Sequence, residues 1–129
     1  MSSTGILLVE DDDAIREVTA EFLRDSGYTV YEAPNGRPAL ERLRTHPEGL
    51  VVLLDLMMPG MDGYAVLHAL AEEASLFTRH AYILFSTMST YHARQVAERF
   101  KFLNVTSLRK PFDLDDLLAA VQKAASSLQ

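Results

Sequence analysis

Four places in this chain carry side chains able to do chemistry together, and each sits behind a short apolar run. Glu10 and Asp11 follow GILLV, Asp55 follows LVVLL, Ser86 and Thr87 follow AYILF, and Arg109 and Lys110 follow VTSL. Taken singly, each has a bland reading. Acidic residues ahead of a helix favour the positive end of its dipole, a job for Asp12 or Asp13. A Ser-Thr pair behind a strand caps a turn, and a Lys-Pro step belongs to a loop. Asp55 poses the sharper question. In VVLLDLMMPGMDGY a carboxylate stands directly behind consecutive aliphatic residues, where a charge is costly unless something pairs with it. Either Asp55 caps a turn, or it faces a site.

Together the four places describe phosphoryl transfer. Two carboxylates about 4 Å apart repel by roughly 4 kcal/mol at an effective dielectric of about 20. Glu10, Asp11 and Asp55, if they converge, must therefore be protonated or neutralised. Hard divalent cations take oxygen ligands, and Mg²⁺ accepts a few carboxylates while leaving room for water and phosphate oxygens. Lys110 supplies a point charge for a phosphoryl oxygen, and Ser86 a hydroxyl donor. Asp55 is then a carboxylate nucleophile in a site that works by positioning and electrostatics.

Such a site needs a scaffold that delivers four loops to one edge. Behind GILLV (5–9), Ile15, Val18, Phe22 and Leu23 recur at helical spacing until Gly27. TVYEA (29–33) is β-rich, and Asn35-Gly36 leads into Ala39, Leu40 and Leu43. LVVLL (50–54) precedes Val66, Leu67 and Leu70; AYILF (81–85) precedes Ala93, Val96, Ala97 and Phe100; VTSL (105–108) precedes Leu114, Leu117, Leu118 and Val121, with Asp113 as the N-cap of that last helix. Five strand–helix units in alternation predict an α/β fold, a doubly wound parallel sheet with helices on both faces. The runs at 5, 50 and 81 are apolar throughout, as central strands are. Thr29, Tyr31 and Glu32 mark the second strand as an edge. In such sheets ligands bind where the strands end, at a topological switch point, and all four chemical positions fall there.

Composition narrows the function classes. With 129 residues and 48% hydrophobic content, the chain suits one domain. The formal net charge is -6 and basic residues do not cluster, which argues against a nucleic-acid surface. The absence of cysteine excludes thiolate and disulfide chemistry and fits a reducing compartment. MSSTG lacks the features of a signal peptide, and the stretch 50–58 is too short to span a bilayer. The expectation is a cytoplasmic domain with no membrane partner. The histidines at 46, 68, 80 and 92 lack metal spacing and are expected at surface or cap positions. Met57, Met58 and Met61 are expected to pack or line loops, because thioethers suit hard cations poorly. Phe100, Phe102 and Leu103 are expected to continue the core.

ILLVEDDDAIRE, LLDLMMPGMDG, ILFSTMS and RKPF together resemble the signature blocks of two-component response-regulator receiver domains, over 5–128. The resemblance implies a flavodoxin-like, chemotaxis-regulator-like fold with strand order 2-1-3-4-5. It implies that Asp55 takes a phosphoryl group from a phosphohistidine of a sensor histidine kinase or a histidine phosphotransfer protein, with Mg²⁺ (or Mn²⁺), and that a downstream protein effector reads the change. Asp11 would bind the metal directly, Glu10 through water, and Met57 through its backbone carbonyl. Ser86 matches the switch hydroxyl, with Thr87 as the alternative, and Lys110 the lysine before a cis proline, Pro111. The chain departs from the pattern at Glu10, often Asp; at Thr87, usually Ala or Gly; and at Ser107, where an aromatic is usual. One receiver domain over 1–129 with no output domain is expected, stand-alone or part of a longer regulator. A weak or phosphorylation-dependent dimer is compatible with it.

Rival classes fare worse. A dehalogenase-like phosphatase needs a second acid two residues after its nucleophile, and position 57 is Met. An FMN binder would face an acidic loop, and a pure interaction module has no use for Asp11, Asp55, Ser86 and Lys110 together. The resemblance also carries an expectation about lifetime. In the family, the side chains two after the acceptor and two after the switch hydroxyl flank the path of the hydrolytic water. Here both are methionine, Met57 and Met88, which offer flexible apolar bulk and no useful donor. Hydrolysis should be slow, since each 1.4 kcal/mol of barrier is about tenfold in rate. Decay of the phosphorylated protein after donor removal should therefore accelerate in Met57→Asn combined with Met88→Glu. Equal decay would show that these positions do not set the lifetime.

Overall fold

Strands and helices alternate from Gly5 to Ser86 in the computed structural model, which describes residues 4–55, 63–73, 78–86, 95, 98–100, 104–109 and 113–128. The order is β1 (Gly5–Val9), α1 (Asp13–Asp25), β2 (Thr29–Ala33), α2 (Gly36–Thr45), β3 (Leu50–Asp55), α3 (Gly63–Glu72), β4 (Ala81–Ser86), β5 (Asn104–Arg109) and α4 (Leu114–Ser127). All pairings are parallel, in the order β2-β1-β3-β4-β5. The doubly wound sheet read from the sequence is present, with β2 at an edge. Ala93, Val96, Ala97, Phe102 and Leu103 lie outside the described residues, whereas Phe100 is buried in the core.

Local chemistry accounts for the element ends. Asp12 caps α1 by accepting the N–H of Ile15 at 3.0 Å, and Asp13 occupies the first turn. Asn35 and Asp113 cap α2 and α4 in the same way. The end of α1 is a Schellman turn: Gly27 N–H donates to Arg24 O at 3.0 Å and Tyr28 N–H to Leu23 O at 3.2 Å. Gly27 adopts φ +100, which a Cβ disfavours.

Side-chain alternation divides the core into two layers. Leu7, Val9, Val52 and Leu54 pack with Leu40, Leu43, Leu67 and Leu70 from α2 and α3. Ile6, Leu8, Val51 and Leu53 pack with Leu23, Leu117 and Val121 from α1 and α4. Both faces of β3 are covered, so every residue from Leu50 to Asp55 is buried. Two helix patterns are narrower than the sequence suggests. Val18 is 62% and Leu114 42% exposed; at about 100° per residue, Val18 lies about 140° around α1 from Leu23 and points off the sheet.

His80 is a correction. It is fully buried, whereas His46 caps the end of α2 and His68 is exposed, as expected; His92 lies outside the described residues. Nδ1 of His80 accepts the N–H of Leu50 at 3.0 Å, so Nε2 carries the proton and faces Leu43 O at 3.2 Å. The ring thereby ties the start of β3 to α2 from the start of β4. Gly49 is required beside it, because a Cβ there would stand 2.5 Å from Arg79 O. Burial lowers the His80 pKa from 6.5 to about 4, and the Arg79 charge acts in the same direction. Because the folded pKa lies below the unfolded one, this stabilisation is complete above pH 6.5 and declines as pH falls toward 4. Between about pH 7.5 and about pH 5 the loss should be about 2 kcal/mol. Urea unfolding at the two pH values should show this loss in the wild type and a much smaller one in His80→Asn, whose amide does not titrate. An equal pH dependence in both would place the effect elsewhere.

Candidate metal centre at the carboxyl edge of the sheet

The site is assembled by strand register. Val9 pairs with Leu54, so the next residues, Glu10 and Asp55, emerge side by side where β1 and β3 end. Parity does the rest. Glu10 continues the alternation of Ile6 and Leu8, and Asp55 that of Val51 and Leu53, so both carboxylates leave the sheet on the α1 side. Order 2-1-3 makes this pair of strands the switch point, where chain crossovers diverge to opposite faces.

Glu10 is 2% and Asp55 4% exposed, while Asp11, at the start of the turn into α1, faces solvent. Each offers a carboxylate oxygen, and the three oxygens lie within 4.8 Å of one another. The convergence expected from sequence is therefore real. Such a group suits a hard divalent cation: three anionic oxygens, no nitrogen or sulfur, and one exposed member through which a hydrated ion can enter.

The other predicted positions divide. Ser86 ends β4, one residue past Phe85, which pairs with Asp55, and its own partner is Arg109. Its backbone thus stands at the same edge as the carboxylates. Met57, Thr87, Met88, Lys110 and Pro111 lie outside the described residues. Sequence reasoning missed Arg16, which donates from Nη1 to the carbonyl of Glu10 at 2.8 Å. The available signal was a cation near a helix N-terminus, where the dipole disfavours it. Glu32, read only as a mark of an edge strand, faces the same guanidinium.

The model of the response regulator receiver domain matches residues 6–122. The chain belongs to this family. It is 32% identical over 124 residues to sporulation initiation phosphotransferase F of Bacillus subtilis, covering 95% of this chain and 94% of that protein. Other curated relatives are longer, and the chain spans 24% of one and 56% of another. Relatives include a sensor kinase, a regulatory protein and a transcriptional regulatory protein. Among solved structures, chemotaxis protein CheY4 of Vibrio cholerae is 26% identical with a TM-score of 0.81, covering 95% of this chain and 99% of that one. Response regulator TrrA of Thermotoga maritima, solved in complex with Mg²⁺-BeF, is 28% identical with a TM-score of 0.75, covering 94% and 98%. This chain is thus a receiver domain of two-component signalling. Among the described residues, no helix is long and apolar enough to cross a membrane.

Holding three carboxylates within 4.8 Å has a measurable cost. A pair at that separation repels by roughly 3 kcal/mol at an effective dielectric of about 20. In metal-free buffer Asp55→Asn should be more stable than wild type by about 1–3 kcal/mol, and saturating Mg²⁺ should narrow the gap. Urea midpoints with and without the ion test this; a destabilised Asn variant in metal-free buffer would contradict it.

Proposed function

We propose that Asp55 is the phosphoacceptor of this receiver domain and that phosphorylation requires Mg²⁺ (or Mn²⁺). The observation that carries this reading is the buried Asp55 at the end of β3, with oxygens of Glu10 and Asp11 within 4.8 Å. Glu10, Asp11, Asp55 and the backbone carbonyl of Met57 would hold the ion, with Glu10 acting through water. When bound, the ion offsets the charge that builds up between the carboxylates and an incoming phosphoryl group.

The chain's own residues do the rest. One Asp55 oxygen attacks phosphorus of a phosphohistidine, the P–N bond breaks, and the imidazole nitrogen leaves with the electron pair. Burial of Asp55 and the pairing of β3 with β1 and β4 on either side limit the freedom of that oxygen, so little reorganisation is needed. Lys110 then meets a phosphoryl oxygen by charge, and the hydroxyl of Ser86, or else Thr87, donates to another. The domain is a signalling acceptor that catalyses only its own phosphorylation and dephosphorylation. Its partners are a sensor histidine kinase or histidine phosphotransfer protein and a downstream protein effector, in the cytoplasm; the net charge of -6 disfavours direct nucleic-acid binding.

Incubation with a small-molecule phosphodonor and Mg²⁺ should add one phosphoryl mass to the wild type and none to Asp55→Asn. An undiminished adduct on the Asn variant would sink the assignment. Lys110→Ala should retain Mg²⁺ affinity while losing phosphorylation or its structural consequence, because its charge meets phosphate and not metal.

A further inference from the structure

Glu10 is held at both backbone groups. Its N–H donates to the carbonyl of Ala33 at 3.1 Å, carrying the β1–β2 pairing beyond Val9 and Ala33. Its carbonyl accepts from Arg16 Nη1 at 2.8 Å. That carbonyl belongs to the peptide linking Glu10 to Asp11, so the guanidinium sets the plane from which both carboxylates depart.

Arg16 is itself confined. Its Nη2 donates to Asp13 Oδ1 at 2.6 Å, its Nε faces Glu32 Oε1 at 3.4 Å, and its side chain is only 13% exposed. Arg24 completes the frame from the far end of α1: its Nη2 lies 3.2 Å from the other oxygen of Glu32 and donates to Val30 O at 2.8 Å. Exposed ion pairs contribute little, but a charged donor on a partly buried carbonyl restrains geometry as well as energy.

We infer that Arg16 is a positioning residue for the carboxylate cluster: by fixing the Glu10–Asp11 peptide it aims Glu10 and Asp11 at Asp55, and so sets the affinity of the cluster for a divalent cation. This rests on the reading that the cluster holds such an ion, and the test separates the two. Groups that orient metal ligands without touching the metal are worth about 10–100-fold in metal affinity. Arg16→Met keeps the apolar stem and removes the donor, and should weaken Mg²⁺ binding about tenfold by calorimetry. Arg16→Lys should recover part of that loss. Glu32→Gln breaks the link to β2 but leaves the Arg16–Glu10 contact, and should lower the melting temperature of the metal-free protein with Mg²⁺ affinity about unchanged. In phosphorylation by a small-molecule donor, the Mg²⁺ concentration for half-maximal rate should rise in Arg16→Met, with the rate at saturating Mg²⁺ largely retained. Wild-type affinity in Arg16→Met would overturn the inference, as would a loss in Glu32→Gln equal to that in Arg16→Met, which would make Arg16 only a helix–strand clamp. If Arg16→Met does not fold, Arg16→Lys against Glu32→Gln decides by the same comparison. No Mg²⁺ binding by the wild type would overturn the cation reading itself, and the role of Arg16 with it.

Discussion

Three carboxylates whose oxygens lie within 4.8 Å repel one another, and no local interaction between Glu10, Asp11 and Asp55 would bring them together. The constraint that holds them is the parallel pairing of β1 with β3, in a register that aligns Val9 with Leu54. That pairing depends in turn on apolar packing over both faces of β3, from α2 and α3 on one side and α1 and α4 on the other. Hydrophobic burial along the strands thus supports an unfavourable electrostatic arrangement at their ends. A functional site commonly has this character, locally costly and globally enforced.

The two ends of the sheet handle polarity differently. At the carboxyl edge, anionic groups meet solvent through Asp11, and a cation can answer them. At the amino edge, His80 is fully buried and fits as a neutral ring between Leu50 N–H and Leu43 O. A proton on Nδ1 would set two donors against each other there. β4 therefore runs between a neutral polar tie at one end and the edge that carries the carboxylates at the other.

Membership of the receiver family agrees with this physical reading without replacing it. The family and the strand order identify the domain, and the β1–β3 register brings its carboxylates together. Arg16, Glu32 and Arg24 form a run of charges along α1 and the edge strand that meets the carboxylate cluster at one backbone carbonyl. The edge strand β2 thereby reaches the site twice, through Glu32 beside Arg16 and through the Ala33 carbonyl that accepts the Glu10 N–H.

Much of this was legible in the residues themselves. Period and composition showed the five strands, the cap at Asp113, the edge character of β2 and the doubly wound class, because local propensity and burial agree at those positions. Spacing placed Glu10, Asp11, Asp55 and Ser86 at strand ends, where α/β sheets bind ligands. What the pattern of residues could not decide was anything requiring a partner distant in the chain. His80 looked like an ordinary surface histidine because its two partners lie 30 and 37 residues away. Val18 and Leu114 looked like core because apolar type does not say which way a helix is rotated. Arg16 drew no reading from the sequence because its acceptor is a backbone carbonyl, a group that every residue carries and that no sequence motif marks. Residue types and spacing determine the chemistry this chain can offer; only the strand register and the long-range hydrogen bonds decide which atoms meet, since those depend on distances that folding sets.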